Sequence, residues 1–159
     1  MLMPQHFAAP WSLQLKLLTV VFSGLLLYAA SQADAVGSAA ITGVLVVCAT
    51  LAVRGYSVVG GQLLVHRLGW ASRFDLNLVA SADYSPGATL GSVRTFGIGG
   101  LFGFVGHFRN VFLGPYRAYA TDPANAVVLR LGREVVVVTP ERPAEFVAAI
   151  EAAQAQSRS

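Results

Sequence analysis

The sequence has little of the chemistry that enzymes and metal proteins use. Cys48 is the only cysteine in 159 residues, so one chain can form neither a disulfide nor a cysteine metal site. Charged residues make up only 12% of the chain, and the basic ones form no dense cluster of the kind that binds nucleic acid. The net charge of +3 is mild and suits an anionic lipid surface. We therefore expect no metal, no cofactor and no nucleic-acid partner.

A catalytic constellation is also missing from the pattern. The three histidines are His6, His66 and His107, and no serine stands in a Gly-x-Ser-x-Gly nucleophile elbow. Most acidic residues fall in turns or at the start of a predicted helix, where they have structural roles. The sequence thus predicts a protein that is not an enzyme. The alternative is a membrane enzyme in which His66 and His107 meet beside an acid.

What the sequence does contain is two long apolar runs, Leu17–Ala33 and Val36–Val53, separated by Asp34. Each run is close to the ~17–25 residues that a helix needs to cross a bilayer, so we predict a transmembrane hairpin. Lys16 precedes the first run and Arg54 closes the second, whereas the turn between them has no basic residue. Because basic residues stay on the cytoplasmic side, the sequence predicts a multi-pass protein of the cytoplasmic (inner) membrane with both termini in the cytoplasm.

Two alternatives concern the same runs. Leu17–Ala30 could form the core of a signal peptide with Ala33-Asp34-Ala35 as its cleavage site, in which case the second run would still anchor the chain and the C-terminal part would lie outside. Ala39 and Gly43 are four residues apart, a spacing that lets two helices approach closely. That face could pack within one chain or between two, so a homo-oligomer is possible.

The rest of the chain alternates over short distances. The pattern divides the protein into a hairpin, residues 1–56, with helices of about 13–33 and 36–54, and a β domain, residues 57–159, with a helix of about 140–154. About seven antiparallel strands are predicted, at Gln62–Gly69, Arg73–Ala80, Ala88–Phe96, Phe104–Phe112, Tyr116–Thr121, Ala126–Leu131 and Glu134–Val138. Gly55–Gly61 is predicted to be a link, and Thr139 and Pro140 to begin the last helix.

The stretch Arg94–Asn110 is rich in glycine and phenylalanine. It is too short and too rich in glycine for a third membrane span, and its spacing matches neither a dinucleotide-binding loop nor a phosphate-binding P-loop. The five glycines that we predict to be structural are Gly97, Gly99, Gly100, Gly103 and Gly106. Glycine permits tight turns and close approach of two backbones. A loop that contacts lipid or a partner is the remaining alternative.

Several motifs in the β domain follow one another in a distinctive order. They are the glycine run Gly97–Gly106, then Phe108, Asn110, Leu113-Gly114, Tyr119-Ala120-Thr121, Val127-Val128-Leu129, Val138-Thr139-Pro140 and Phe146. In these motifs the chain resembles the bacterial pleckstrin-homology-like (PH-like) domain family over about Gln62–Ile150. The resemblance implies a barrel-like sandwich of seven strands capped by a C-terminal helix, behind one or two membrane helices, and it does not imply an enzyme.

Function is then predicted from the anchor and the arginines. The first hypothesis is a membrane-anchored, non-enzymatic PH-like module that serves as a docking or assembly platform, with the lipid bilayer and an unidentified membrane protein as partners. The second is a domain that senses lipid headgroups through the juxtamembrane residues Arg54, Arg67 and Arg73. A separate group, Arg94, Arg109 and Arg117, is a candidate surface for an anion or a protein partner.

Overall fold

The computed structural model describes residues 5–157. Three α-helices lie in this range: α1 (Leu13–Gln32), α2 (Ala35–Leu51) and α3 (Pro143–Ser157). The first two form an N-terminal pair, and the third closes a mainly-β sandwich of two sheets. This confirms the predicted order of a helix pair, a β domain and a final helix.

Side-chain caps fix where the first two helices begin. Ser12 accepts a hydrogen bond from the Leu15 amide, and Asp34 accepts one from the Gly37 amide, so both apolar runs start with a satisfied amide. Helix α1 has 20 residues and a mean hydropathy of 1.7, long and apolar enough to cross a membrane by length and composition. Helix α2 is apolar but has 17 residues. It ends at residue 51 rather than near 54, because a strand begins two residues later.

The first sheet has four strands in the order β1-β2-β3-β4. These are β1 (Gln5–Ala8), β2 (Val53–Val59), β3 (Gln62–Arg67) and β4 (Ala71–Asp75). The helix pair is thus inserted between two adjacent antiparallel strands, with Phe7 opposite Tyr56. The prediction that Gly55–Gly61 is a link was wrong, since residues 53–59 form a central strand. Gly55 lets β1 come close, because a Cβ there would lie 2.9 Å from the His6 ring.

The second sheet has six strands in the order β5-β9-β10-β8-β7-β6. These are β5 (Val79–Tyr84), β6 (Val93–Gly99), β7 (Phe104–Asn110), β8 (Gly114–Ala120), β9 (Val127–Leu131) and β10 (Glu134–Val138). All neighbours are antiparallel except β8 and β10, which run parallel with Ala118 beside Val137. Residues 5–157 therefore contain ten strands, and the prediction of about seven, all antiparallel, was wrong on both counts.

Two of the predicted strands differ from the observed ones for local reasons. Arg73–Ala80 is not one strand: Asp75 caps a 3-10 turn at Leu76–Leu78, which separates β4 from β5. Residues 86–91 form turns, so the strand predicted from Ala88 begins only at Val93.

The last helix begins at Pro143 and not at Pro140. The Glu141 amide donates a hydrogen bond to the Ala8 carbonyl of β1, at 2.9 Å. This contact ties the segment that follows Thr139-Pro140 to the first sheet. Pro143 then takes the first helical position, where the lack of an amide hydrogen costs nothing.

The main core lies between the two sheets and α3. Phe146 of α3 is fully buried, and its ring meets Phe7 edge-on at 5.2 Å and Tyr56 at 6.0 Å between centroids. Burial of each large apolar side chain of this kind contributes about 1.5–3 kcal/mol. A smaller cluster covers the outer face of the second sheet around Phe108 and Val137.

Candidate functional site

The helix pair meets the β domain at a compact junction. We call it the neck, and it comprises Ala9–Ser12, Ala52–Arg54 and the loop Gly99–Gly103. The Trp11 ring contacts Phe102 edge-on, with 6.2 Å between centroids, and the Phe102 amide donates a 3.1 Å hydrogen bond to the Thr19 hydroxyl. The glycine-rich loop therefore contacts the first two turns of α1.

The conformation of that loop depends on its glycines. Gly97 and Gly106 lie opposite each other on β6 and β7 with φ of 112° and 138°, and a Cβ at Gly97 would lie 2.7 Å from the Gly106 Cα. Gly100 and Gly103 also have positive φ. Phe102 is the one residue other than glycine with positive φ within residues 5–157, at 59°. Such a conformation costs of order 1 kcal/mol, and the contacts to α1 offset it.

Beneath the neck lies a buried polar cluster. The Tyr56 hydroxyl donates to the Tyr119 carbonyl at 2.5 Å and accepts from the Thr139 amide at 3.1 Å. The Thr139 hydroxyl accepts from the Thr121 amide at 2.8 Å, and the Thr121 hydroxyl donates to the Pro10 carbonyl at 2.7 Å. These bonds join four parts of the β domain, namely β2, β8 and the segments that follow β8 and β10. Through Thr121 they also hold the segment that leads into α1.

The cluster stays neutral at ordinary pH. Desolvation by complete burial raises the pKa of Tyr56 to about 12, although hydrogen bonds with Thr139 act in the opposite direction. The phenol therefore remains a hydrogen-bond donor. Two motifs that carry the family resemblance, Tyr119-Ala120-Thr121 and Thr139-Pro140, meet here, so their role in this fold is structural.

The structure does not bring Arg54, Arg67 and Arg73 to one face. Arg54 is exposed at the neck. The Arg67 guanidinium lies 4.8 Å from the Tyr119 ring centroid and 5.7 Å from that of Trp70, and it donates a hydrogen bond to Ser72. Because side chains alternate along a strand, Arg67, opposite Val53, and Arg73, opposite Leu64, point to opposite faces of the first sheet.

The second group, Arg94, Arg109 and Arg117, lies on the three strands nearest the β6 edge of the second sheet. Arg109 and Arg117 are on one face, since they pair with Pro115 and His107 in the β7–β8 register. Arg117 forms a 2.9 Å ion pair with Glu134. Arg94, opposite Phe108, projects from the other face, and its side chain runs towards Gly99. Arg94 and Arg109 are exposed, and neither has an ion-pair partner among residues 5–157.

His66 and His107 lie in different sheets, so the structure does not bring that predicted pair together. Instead, the Ser57 hydroxyl lies between two histidines, 2.9 Å from His6 Nδ1 and 2.8 Å from His66 Nε2. Sequence reasoning missed this arrangement, because His6 is 51 residues from Ser57 and no local pattern joins them. No three His, Cys, Asp or Glu side chains in the described part of the chain are grouped to hold a metal ion.

Two concave regions lie close to residues described above. One, of about 230 Å³, lies between the turns at 89–92 and the outer face of the second sheet, and is lined by Phe104, Phe108 and Tyr116. The other, a groove of about 440 Å³, opens at the neck beside Trp11 and Arg54.

The family model of the bacterial PH domain matches residues 54–154, which is well over half of the chain. The match begins in β2 and ends within α3, so it takes in both sheets except β1. It also contains both motifs of the buried polar cluster. The comparison with curated proteins found no match, and the comparison with solved structures found none either. On the strength of the family match, the chain belongs to the bacterial PH domain family.

Proposed function

We propose that the protein is a membrane-anchored, non-catalytic PH-like module that serves as a docking or assembly platform at the cytoplasmic membrane. PH-like domains are in general non-catalytic modules. The observation that carries the proposal is the exposure of the apolar helix pair beside a well-packed β domain: Val20, Leu25 and Val36 are 72%, 59% and 77% exposed. Side chains of this kind require lipid or protein around them.

Both helices cross the bilayer in this proposal, with both termini in the cytoplasm. Helix α2 would be about 25 Å long at 1.5 Å per residue, near the lower limit for a span. Support for the orientation comes from Lys16 and Arg54, which lie at the two helix ends that face the β domain. The turn around Asp34, at the opposite end, has no basic residue.

The docking surface that we propose is the free edge of the second sheet. Among residues 5–157, β6 pairs with β7 alone, so one row of its backbone amides and carbonyls has no strand partner. Val93 and Phe96 on this edge are 69% and 76% exposed. An extended segment can join such an edge as a further strand. The free end of β6 lies about 20 Å from the neck at the usual rise per residue.

Charge defines the kind of partner. Arg94 and Arg109 project from the two faces of this edge, and neither is paired with an acid among residues 5–157. The occupant that fits is an extended acidic segment of another membrane protein. Anchoring both proteins in one membrane would raise their effective concentration without any new contact.

The membrane part is tested by alkaline carbonate extraction of cells that express the full chain. We expect the protein to stay with the membrane. A protease applied to intact spheroplasts should leave the C-terminus uncut and should cut it once the cells are opened. Release by carbonate, or cleavage in intact spheroplasts, would contradict the proposed anchoring or its orientation.

The docking part is tested by a photo-crosslinking residue in place of Thr95 on β6. We expect an adduct whose partner peptide is acidic, and we expect Arg94→Glu with Arg109→Glu to abolish it. Arg133→Glu, in the turn after β9, is the matched control and should leave it intact. An adduct of the chain with itself, or one insensitive to charge reversal, would overturn the acidic-segment proposal.

A further inference from the structure

The groove at the neck has the composition of a lipid site. Its volume is about 440 Å³, within the range of ~300–1,000 Å³ that is usual for ligand pockets. Arg54 is the charged residue that lines it. The apolar lining includes the rings of Trp11 and Phe102 and the side chains of Ala49, in α2, and Ala52, just after α2. A cationic group therefore lies beside an apolar surface.

The position of the groove suggests which molecule fills it. Helix α2 ends at Leu51 and Arg54 follows in β2, so the groove opens where the apolar helices meet the polar domain. If the helix pair spans the membrane, this level coincides with the lipid headgroups. Trp is also the side chain that prefers this interface, because its ring is apolar and its N–H is polar.

We propose that the neck groove binds one anionic phospholipid, with the phosphate on Arg54 and the start of an acyl chain against Trp11, Phe102 and the alanines at positions 49 and 52. No acidic residue lines the groove, so no carboxylate there can pair with the positive charge of a choline or ethanolamine headgroup. A lipid with net negative charge is therefore preferred. This inference rests on the proposed membrane anchoring.

The structure also indicates which arginines do not take part. The Arg67 guanidinium is held between two aromatic rings and bonded to Ser72. Arg73 projects from β4 and does not line the groove. The sequence predicts, as an alternative, that three juxtamembrane arginines recognise lipid. In the present proposal Arg54 alone does so. Arg73 provides a matched control, because it is also exposed and carries the same charge.

Trp11 makes the site directly measurable. The chain has two tryptophans, so the full chain with Trp70→Phe carries a single one in the groove. The protein is held in detergent micelles without other lipid, and phosphatidylglycerol with brominated acyl chains is added stepwise. We expect this lipid to quench the Trp11 fluorescence to a saturating level. Brominated phosphatidylcholine should quench more weakly. Arg54→Gln should weaken the apparent affinity for phosphatidylglycerol about tenfold, as expected for loss of a charged hydrogen-bond donor.

Controls separate the possible explanations. Arg73→Gln should leave the affinity unchanged, and each variant should keep the thermal unfolding midpoint of the parent. Equal effects of Arg54→Gln and Arg73→Gln, or equal quenching by both lipids, would overturn the proposal. Inorganic phosphate should not displace the brominated lipid at millimolar concentration, and displacement would identify free phosphate as the ligand.

Failure of this inference and failure of the proposed function give different results. If the groove binds no lipid, both brominated lipids quench Trp11 equally and Arg54→Gln has no effect, while the chain still resists carbonate extraction. If the chain is not anchored, it is extracted by carbonate whatever the groove binds in micelles.

Discussion

The helix pair and the β domain are built from similar apolar residues but bury them very differently. Helix α2 has no buried residue, and the buried residues of α1 are Leu15, Thr19 and Ala30. In the β domain, the inward-facing side chains of both sheets and one face of α3 are almost completely buried. Leu15 is fully buried against the domain, whereas Leu17, two residues later, is 58% exposed.

This difference shows that apolar composition alone does not define a core. In the β domain, the free energy of folding comes largely from removing side chains from water and from close packing. In the helix pair, backbone hydrogen bonds form within each helix, and most of the apolar side chains remain outside any core. Equivalent substitutions in the two regions should therefore have unequal effects on stability.

The largest difference is expected for phenylalanine. Phe146→Ala removes a fully buried ring that contacts Phe7 and Tyr56 and should lower the free energy of unfolding by about 3–5 kcal/mol. Phe22→Ala removes a ring of α1 that is 48% exposed and should change it by less than about 1 kcal/mol. Denaturant unfolding of the full chain in detergent, followed by near-UV circular dichroism of the β domain, measures both. Equal losses would contradict the comparison.

Glycine gives the next largest contrast. At Gly97, with φ of 112°, a methyl group would collide with the backbone of β7 at Gly106. Gly97→Ala should therefore cost about 2–4 kcal/mol from backbone strain and overpacking together. Gly43 of α2 has no atom within 4 Å of the added methyl, so Gly43→Ala should be neutral or favourable because alanine has the higher helix propensity. Melting temperatures of the two variants provide the test.

The open space at Gly43 also bears on the predicted Ala39–Gly43 packing face. Since a methyl group there would meet no atom within 4 Å, this face is not packed against α1. A fall in stability on Gly43→Ala would point to a contact with another chain and would break the simple comparison.

A pair of threonines, one in each region, extends the comparison to polar side chains. Thr139→Val leaves the Thr121 and Asp122 amides without their acceptor in the buried cluster and should cost about 1–3 kcal/mol. Thr50 of α2 donates only to the Val47 carbonyl within its own helix, so Thr50→Val should cost less than about 0.5 kcal/mol. The same unfolding measurement applies, and a larger effect at Thr50 would contradict this reasoning.

Much of the fold could be predicted from local patterns. The two apolar runs, the four consecutive valines at 135–138 and the glycines opposite each other in β6 and β7 are each visible within a few residues of sequence. What was missed depends on contacts between distant residues. Nothing near His6 indicates that residues 5–8 form a strand, because its partner β2 lies beyond the whole helix pair. The split of Arg73–Ala80 was missed for a different, local reason: the Asp75 side chain caps a 3-10 turn, and the alternation of apolar residues through this stretch conceals that turn.

The candidate site was predicted only in part for the same reason. Proximity in sequence suggested that Arg54, Arg67 and Arg73 act together, but strand register places Arg67 and Arg73 on opposite faces. The neck groove combines residues from three separate segments, at Trp11, Arg54 and Phe102. Only the folded chain brings them together.

The smallest predicted effect is a pH dependence of stability that arises from His66 on β3. His66 lies close to His6 on β1, the strand that leads into the helix pair. Burial lowers the pKa of His66, and the nearby His6 lowers it further. Because the unfolded chain then binds a proton more readily than the folded one, stability should be constant above about pH 7 and should fall as the pH drops through ~6.5. The slope for one such group cannot exceed about 1.4 kcal/mol per pH unit. Unfolding free energies measured from pH 7.5 to 5.5 test this.

His66→Gln should flatten that pH dependence, whereas His107→Gln, on the other sheet, should preserve it. The expected reason is geometric: the Ser57 hydroxyl bridges His6 on β1 and His66 on β3, so protonation of His66 places a positive charge beside the strand that leads directly into α1. If the wild type and His66→Gln lose stability equally as the pH falls, the bridge does not sense pH. The connection between the two regions would then depend on the neck and the Tyr56 cluster alone.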